Sequence, residues 1–257
     1  MDDVLYEVRA GVARLTLNRE ASRNALSPAA IAAVGAHLDA AEADPDVRAV
    51  CLTGAGDKVF CSGADLGSAF AGGSGEAVPG PVAYARLLRR MLAFPKPLVA
   101  RVNGHCLAGG LGLVLACDLA YAREDVRFGT PEVKVGLFPM MVAPLMLRSV
   151  PRKRALELML TAEPIDGREA AAIGLVTRAV PAAGLDATVD KALAAVCANA
   201  PVAIRMGREA IGAVDGRPAA EVLETLAGRL ADLLATEDAA EGLAAFLEKR
   251  APQWKGR

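Results

Sequence analysis

The chain has 257 residues, 53% hydrophobic and 23% charged, which supplies a sizeable core for one large domain, alone or with a smaller appendage, and excludes a disordered chain. Its 29 Lys and Arg nearly balance 30 Asp and Glu, for a formal charge of −1. With one Trp, three Tyr and six Phe, it has neither the basic footprint nor the stacking platform that a nucleic-acid partner needs.

Every hydrophobic segment is interrupted by charge before it reaches about 18 residues, and no basic-plus-apolar leader follows Met1-Asp2-Asp3. We therefore expect no membrane partner and a cytoplasmic location. Cys51, Cys61, Cys106, Cys117 and Cys197 lack CxxC spacing and sit among small or apolar residues, so they read as buried free thiols. With only His37 and His105 available, no metal site is expected.

Val4–Val8 and Ala13–Leu17 alternate with period two around Gly11, which predicts an N-terminal hairpin. Ser27 and Pro28 suit the N-cap and first position of a helix whose Ile31, Val34 and Leu38 share a face, ending at Asp44-Pro45. Val47–Thr53, Leu98–Val102 and Leu119–Arg123 are short apolar runs expected of strands buried on both faces. A helix over Pro81–Phe94 and another after Gly109 separate them, giving chained βα units and an α/β core.

Past residue 140 the pattern becomes helical: 154–160, 167–173, 185–199, 202–214, 219–235 and 238–249, rich in alanine. Such a tail suits a cap or an assembly surface. Gly67–Gly80 is small and flexible in composition, and no sequence repeat is evident.

Few standard motifs survive inspection. Gly110-Leu111-Gly112 begins like a dinucleotide fingerprint, but the third glycine is Leu115. Cys106 beside His105 lacks an orienting third group. More informative are two small-residue stretches that follow strands, Phe60–Leu66 and Gly104–Gly112. Ligands of α/β folds gather at such strand ends. Two backbone N–H groups converging there can hold a carbonyl oxygen as it becomes negative, with no ionisable side chain. The same glycines would also serve plain helix–strand packing, and spacing alone leaves both readings open.

Asn18–Ser27, Phe60–Leu66, Asn103–Asp118, Phe128-Gly129-Thr130-Pro131-Glu132, Gly174-Leu175-Val176 and Phe246–Arg250 occur in that order. Together they resemble the crotonase superfamily, the enoyl-CoA hydratase/isomerase group, across essentially the whole chain. The resemblance implies a crotonase-like spiral of ββα units over residues 1–195 and a helical trimerisation or capping region over 196–257. It implies an acyl-CoA thioester substrate, no separate cofactor because coenzyme A is part of that substrate, and a homotrimer or a hexamer of paired trimers.

Residue by residue, Ala64 and Gly109 match the two N–H donors to the thioester oxygen. Ala64, Asp65 and Leu66 match the stretch that lines the path of the adenine and pantetheine, with Gly67 next to it, and Ala25 is a further substrate-binding candidate. Arg23 and Lys249 match basic positions near the CoA phosphates, Lys249 from a neighbouring subunit.

The departures from the family pattern bear on the reaction. Hydratases of the group carry two glutamates; here the first position is Gly112, and the second is retained as Glu132. A glycine-rich stretch is replaced by Phe138-Pro139-Met140-Met141, read either as core or as an adaptable wall around the acyl group, with Met140 the candidate contact. Hydration benefits from two carboxylates, whereas one suffices to take a proton from one carbon and return it to another. Glu132, followed by Val133, Val135 and Leu137, should have a raised pKa if buried, and would be an ordinary surface carboxylate if not.

The expectation is an enoyl-CoA double-bond isomerase. The alternatives are a hydratase borrowing a second acid from Asp65, Asp118 or Glu76, and a family member that binds acyl-CoA without turnover.

Overall fold

The computed structural model describes residues 2–65 and 80–257. Strands β1 (Val4–Arg9) and β2 (Val12–Leu17) form the expected antiparallel hairpin, Arg9 opposite Val12, with Ala10 and Gly11 both at positive φ in the tight turn. Helix α1 (Pro28–Ala43) starts where Ser27 accepts the Ala30 N–H at 3.0 Å and Pro28 takes the first position, which needs no donor.

From β3 onward the chain repeats one path. A strand in a large sheet leads to a short strand in a small sheet, and then a helix returns. Strand β3 (Ala49–Gly54) is followed by β4 (Val59–Cys61) and, after the undescribed residues, by α2 (Gly80–Leu92). Next come β5 (Leu98–Val102), β6 (His105–Leu107) and α3 (Gly109–Leu115). The following turn is β7 (Leu119–Arg123), β8 (Arg127–Gly129), a 3-10 turn at Pro131–Val135, α4 (Ala143–Ser149) and α5 (Arg152–Thr161). Strand β9 (Ile165–Asp166), α6 (Gly167–Ala172) and β10 (Arg178–Val180) close the path. The sheets run β1-β2-β3-β5-β7-β10 and β4-β6-β8-β9, parallel except for the β1/β2 and β8/β9 pairs. This is an α/β spiral of ββα turns.

The large sheet is apolar on both faces because both are covered. Val50, Leu52, Leu98 and Ala100 belong to the main core, while Ala49, Cys51 and Val99 point the other way. That second face is closed by Leu185, Val189 and Leu193 of α7 (Leu185–Ala198). Helices α8 (Pro201–Val214), α9 (Ala219–Leu234) and α10 (Glu237–Glu248) follow and pack on one another. Arg208 of α8 reaches back to Asp118 at 2.8 Å, and the other oxygen of that carboxylate accepts the Leu98 N–H at 2.7 Å. Asp118 is thus a structural residue at the start of a strand. Among the described residues, no single helix is long and apolar enough to cross a membrane.

Candidate active site

The two small-residue stretches meet. Leu26 N–H donates to the Gly63 carbonyl at 2.8 Å and Asp65 N–H to the Leu26 carbonyl at 3.1 Å, bonds that bracket Ala64 and turn its own N–H to the opposite side. On that side lies the neighbouring loop: a methyl group on Gly63 would stand 2.5 Å from Ala108 Cβ and 3.0 Å from the Gly109 nitrogen. Gly63 avoids this overlap by having no side chain and by adopting φ +96, a conformation that favours glycine.

The glycines after β6 divide between packing and access. A Cβ on Gly110 would lie 2.6 Å from the Cys61 carbonyl oxygen, so Gly110 serves close packing. A Cβ on Gly109 would have nothing nearer than 3.6 Å. Gly109 is the first residue of α3, where an N–H has no partner within the helix. Ala108 precedes it in the strained backbone conformation φ 49, ψ −129, held in place by its N–H donating to the Gly129 carbonyl at 2.9 Å.

That same bond positions the carboxylate. Strands β6 and β8 pair Leu107 with Gly129, and the chain then turns through Thr130, whose buried hydroxyl donates to the Leu158 carbonyl at 3.0 Å. Glu132 follows in the 3-10 turn, which Gly136 closes at φ +76. Its side chain is partly buried, and Oε2 is fully buried without a hydrogen-bond partner, the one such side-chain atom among the described residues. Burial raises its pKa above the ordinary glutamate value, opposed by a hydrogen bond from its own backbone N–H. An unsatisfied buried carboxylate oxygen in a native fold calls for a partner that the described residues do not supply.

Arg19 fastens the opposite wall. It donates to the Ala25 carbonyl at 2.5 Å, to Asp65 Oδ2 at 2.9 Å, and lies 3.2 Å from Asp3 Oδ2. Asn24, buried, accepts the Arg19 N–H and donates to the Ala55 and Val59 carbonyls. These bonds tie the 19–27 segment to the Ala64 loop. The Asp65 carboxylate is therefore engaged by Arg19, and Ala25 is buried behind it.

The remaining candidates are spread out. Arg23 is exposed, and its carbonyl accepts the Ser62 N–H at 3.2 Å. Met140 is 68% exposed, which overturns the reading of it as core: the turn at 139–142 directs it outward, while Met141 packs on the core. Lys249 is exposed at the C-terminal cap of α10, whose helix packs on α8 and α9. Leu66, Gly67 and Glu76 lie outside the described residues. His105 is exposed and Cys106 buried on alternate sides of β6, and burial holds the thiol well above its ordinary pKa, which removes the thiol-catalysis reading. Among the described residues, no three His, Cys, Asp or Glu side chains gather as metal ligands.

Tyr84 of α2 is the neighbour that pattern reading missed. Its buried hydroxyl donates a short hydrogen bond to the Gly109 carbonyl, and Glu132 is close enough to act on it electrostatically. In sequence it is one apolar-face residue of an amphipathic helix, and only the empty position at Gly112 hints that something else fills that space.

A spiral of ββα turns with two such sheets is the crotonase fold. The chain belongs to the enoyl-CoA hydratase/isomerase family, whose model it matches over residues 7–257, and is thus an enzyme of a group acting on acyl-CoA thioesters. A Thermus thermophilus protein, provisionally named an enoyl-CoA hydratase, is 41% identical over 249 residues, 95% of this chain and 97% of that protein. The 2,3-dehydroadipyl-CoA hydratase of Escherichia coli is 34% identical over 272 aligned positions, covering 100% of both chains. The crystal structure of an enoyl-CoA hydratase from Bacillus anthracis superposes with a TM-score of 0.93 at 30% identity, over 99% of this chain and 100% of that one.

Proposed function

We propose that this enzyme shifts the carbon–carbon double bond of an enoyl-CoA, with Glu132 taking a proton from one carbon and returning it to another. The Ala64 and Gly109 N–H groups hold the thioester oxygen while enolate charge collects there. Two such donors in a dry site supply on the order of several kcal/mol to that state. Glu132 Oε2, buried and unpartnered, is the observation that carries this reading: it is a base waiting for a C–H proton, and its raised pKa brings it closer to the operating pH.

Among the described residues, a second carboxylate is missing where hydration would want one. Residue 112 is glycine, Asp118 is committed to Leu98 and Arg208, and Asp65 is engaged by Arg19. The names of the relatives favour a second reading, hydration, which the same assay separates. Purified protein is given a 3-enoyl-CoA and, separately, a 2-enoyl-CoA, beside Glu132→Gln. Bond migration that is lost in the variant supports isomerisation. A 3-hydroxyacyl-CoA product replaces it with hydration, and CoA-ester binding without turnover leaves a binding protein.

In this reading the pantetheine and adenine run along Ala25, Asp65, Leu66 and Gly67, Arg23 and Lys249 approach the phosphates, and Met140 borders the acyl group. We also propose that residues 196–257 form an assembly surface for a homotrimer or hexamer. In support, α10 exposes Phe246 (81%) and Leu247 (79%).

A further inference from the structure

Gly112 lacks a side chain in a place where one could not fit. A Cβ on that residue would overlap the Tyr84 hydroxyl outright, with the ring Cζ at 3.3 Å and Leu88 Cδ1 at 3.4 Å. The hydroxyl cannot step aside without breaking its bond to the Gly109 carbonyl. A Cβ on Gly109 would in turn sit 3.6 Å from both Cζ and Oη of Tyr84, so the hydroxyl end of the phenol lies against that residue.

We propose that Tyr84 is a positioning residue of the active site: its hydroxyl fixes Gly109, whose N–H faces the thioester oxygen, and its phenol closes the space a side chain on residue 112 would need. The proposal rests on the reading of Gly109 as that donor, not on which reaction follows. Gly109 is gripped from both sides, since the preceding Ala108 N–H is bound to the Gly129 carbonyl and its own carbonyl to Tyr84. Little torsional freedom is left to the peptide between them, and an oxyanion donor works by being fixed beforehand. The phenol is suited to this task. Burial holds its pKa well above the ordinary tyrosine range, with Cys61, Cys106 and Glu132 pushing the same way, so it remains a neutral donor.

The test is a cycle of Tyr84→Phe, Gly112→Ala and the double variant, read in two ways. The first is kcat and KM on whichever enoyl-CoA the wild-type enzyme turns over. The second is the infrared carbonyl stretch of bound butyryl-CoA, a saturated thioester that reports on the donors whether the enzyme migrates double bonds or hydrates them. Tyr84→Phe keeps the ring and loses the grip: kcat falls at least tenfold, KM stays within about twofold, and the carbonyl stretch moves back towards that of free butyryl-CoA.

Gly112→Ala shows the same spectral change, because its methyl displaces the hydroxyl, and it stands in for Tyr84→Phe should that variant not fold. Adding Gly112→Ala to Tyr84→Phe costs less than it does in the wild-type enzyme, since the overlapping hydroxyl is gone and the ring Cζ stands at 3.3 Å. Wild-type kcat and an unmoved carbonyl stretch in Tyr84→Phe would overturn the proposal, as would a Gly112→Ala penalty equal in both backgrounds. A wild-type enzyme that hydrates, with the carbonyl shift lost in Tyr84→Phe, removes the isomerase reading and supports Tyr84.

Discussion

Gly63 sits at φ +96 where the Ala64 loop touches the Gly109 loop, and a methyl group there would meet Ala108 Cβ at 2.5 Å, the Gly109 nitrogen at 3.0 Å and the Leu107 carbonyl oxygen at 3.3 Å. In Gly63→Ala, positive φ costs a non-glycine residue about 1–2 kcal/mol, and overpacking adds roughly 1–3 kcal/mol. A loss of about 2–5 kcal/mol lowers the Tm of a chain this size by roughly 4–20 °C at fixed protein concentration.

Activity should suffer more than stability. The methyl presses on the Gly109 nitrogen, and a displacement near 1 Å, or the loss of one oxyanion donor, costs about 10²-fold in kcat. Gly35→Ala is the control: no atom lies within 4 Å of its Cβ position on α1, so it should raise stability by up to about 1 kcal/mol and leave turnover unchanged. Thermal melts and turnover of both variants make the comparison. A Gly63→Ala enzyme that loses stability yet keeps kcat within threefold would show that these loops are packing elements and not the donors.

Glu132 yields a prediction in pH. Its carboxyl is raised in the folded enzyme, so burial penalises the ionised form, and the penalty appears as pH rises above the unfolded value of 4.5. Chemical denaturation should find Glu132→Gln more stable than wild type near neutrality, with the gain gone below that pH; a variant no more stable at pH 7 would contradict the burial. The acid limb of the wild-type kcat/KM should likewise lie above the ordinary glutamate range. Ser27→Ala removes both the cap to Ala30 and the 2.8 Å bond to Asp3, and urea titration should show a loss of about 1–2 kcal/mol. Phe246→Asp with Leu247→Asp should convert an assembled species to monomer in light scattering, with far-UV circular dichroism unchanged.

The long elements were legible because periodicity declares them. The hairpin, α1, the buried strands and the C-terminal helices fall within a residue or two of their expected bounds, since each shows several repeats of its period. The strands of the small sheet did not show. Strand β6 falls within the small-residue stretch Gly104–Gly112, and strands of two or three residues such as β6, β8 and β9 contain no full period. Without them the ββα repeat, which recurs in path and not in residue identity, was invisible to composition and reached only through resemblance. The residue types alone leave Met140 between core and wall, because its exposure depends on a turn at Pro139 that they do not specify. Tyr84 was hidden for a similar reason. It lies 28 positions from Gly112, and only the folded chain shows that one fills the place left by the other.

The central claim is that one buried carboxylate both removes and returns the proton. A 3-enoyl-CoA deuterated at C2, converted in ordinary water and read by mass spectrometry at C4 of the product, tests this directly. Glu132 Oε2 is buried and meets no hydrogen-bond partner among the described residues, so a measurable share of deuterium should arrive at C4, and Glu132→Gln should form no product. Product formed at the wild-type rate by Glu132→Gln, or deuterium-free C4 accompanied by 3-hydroxyacyl-CoA, would contradict the account.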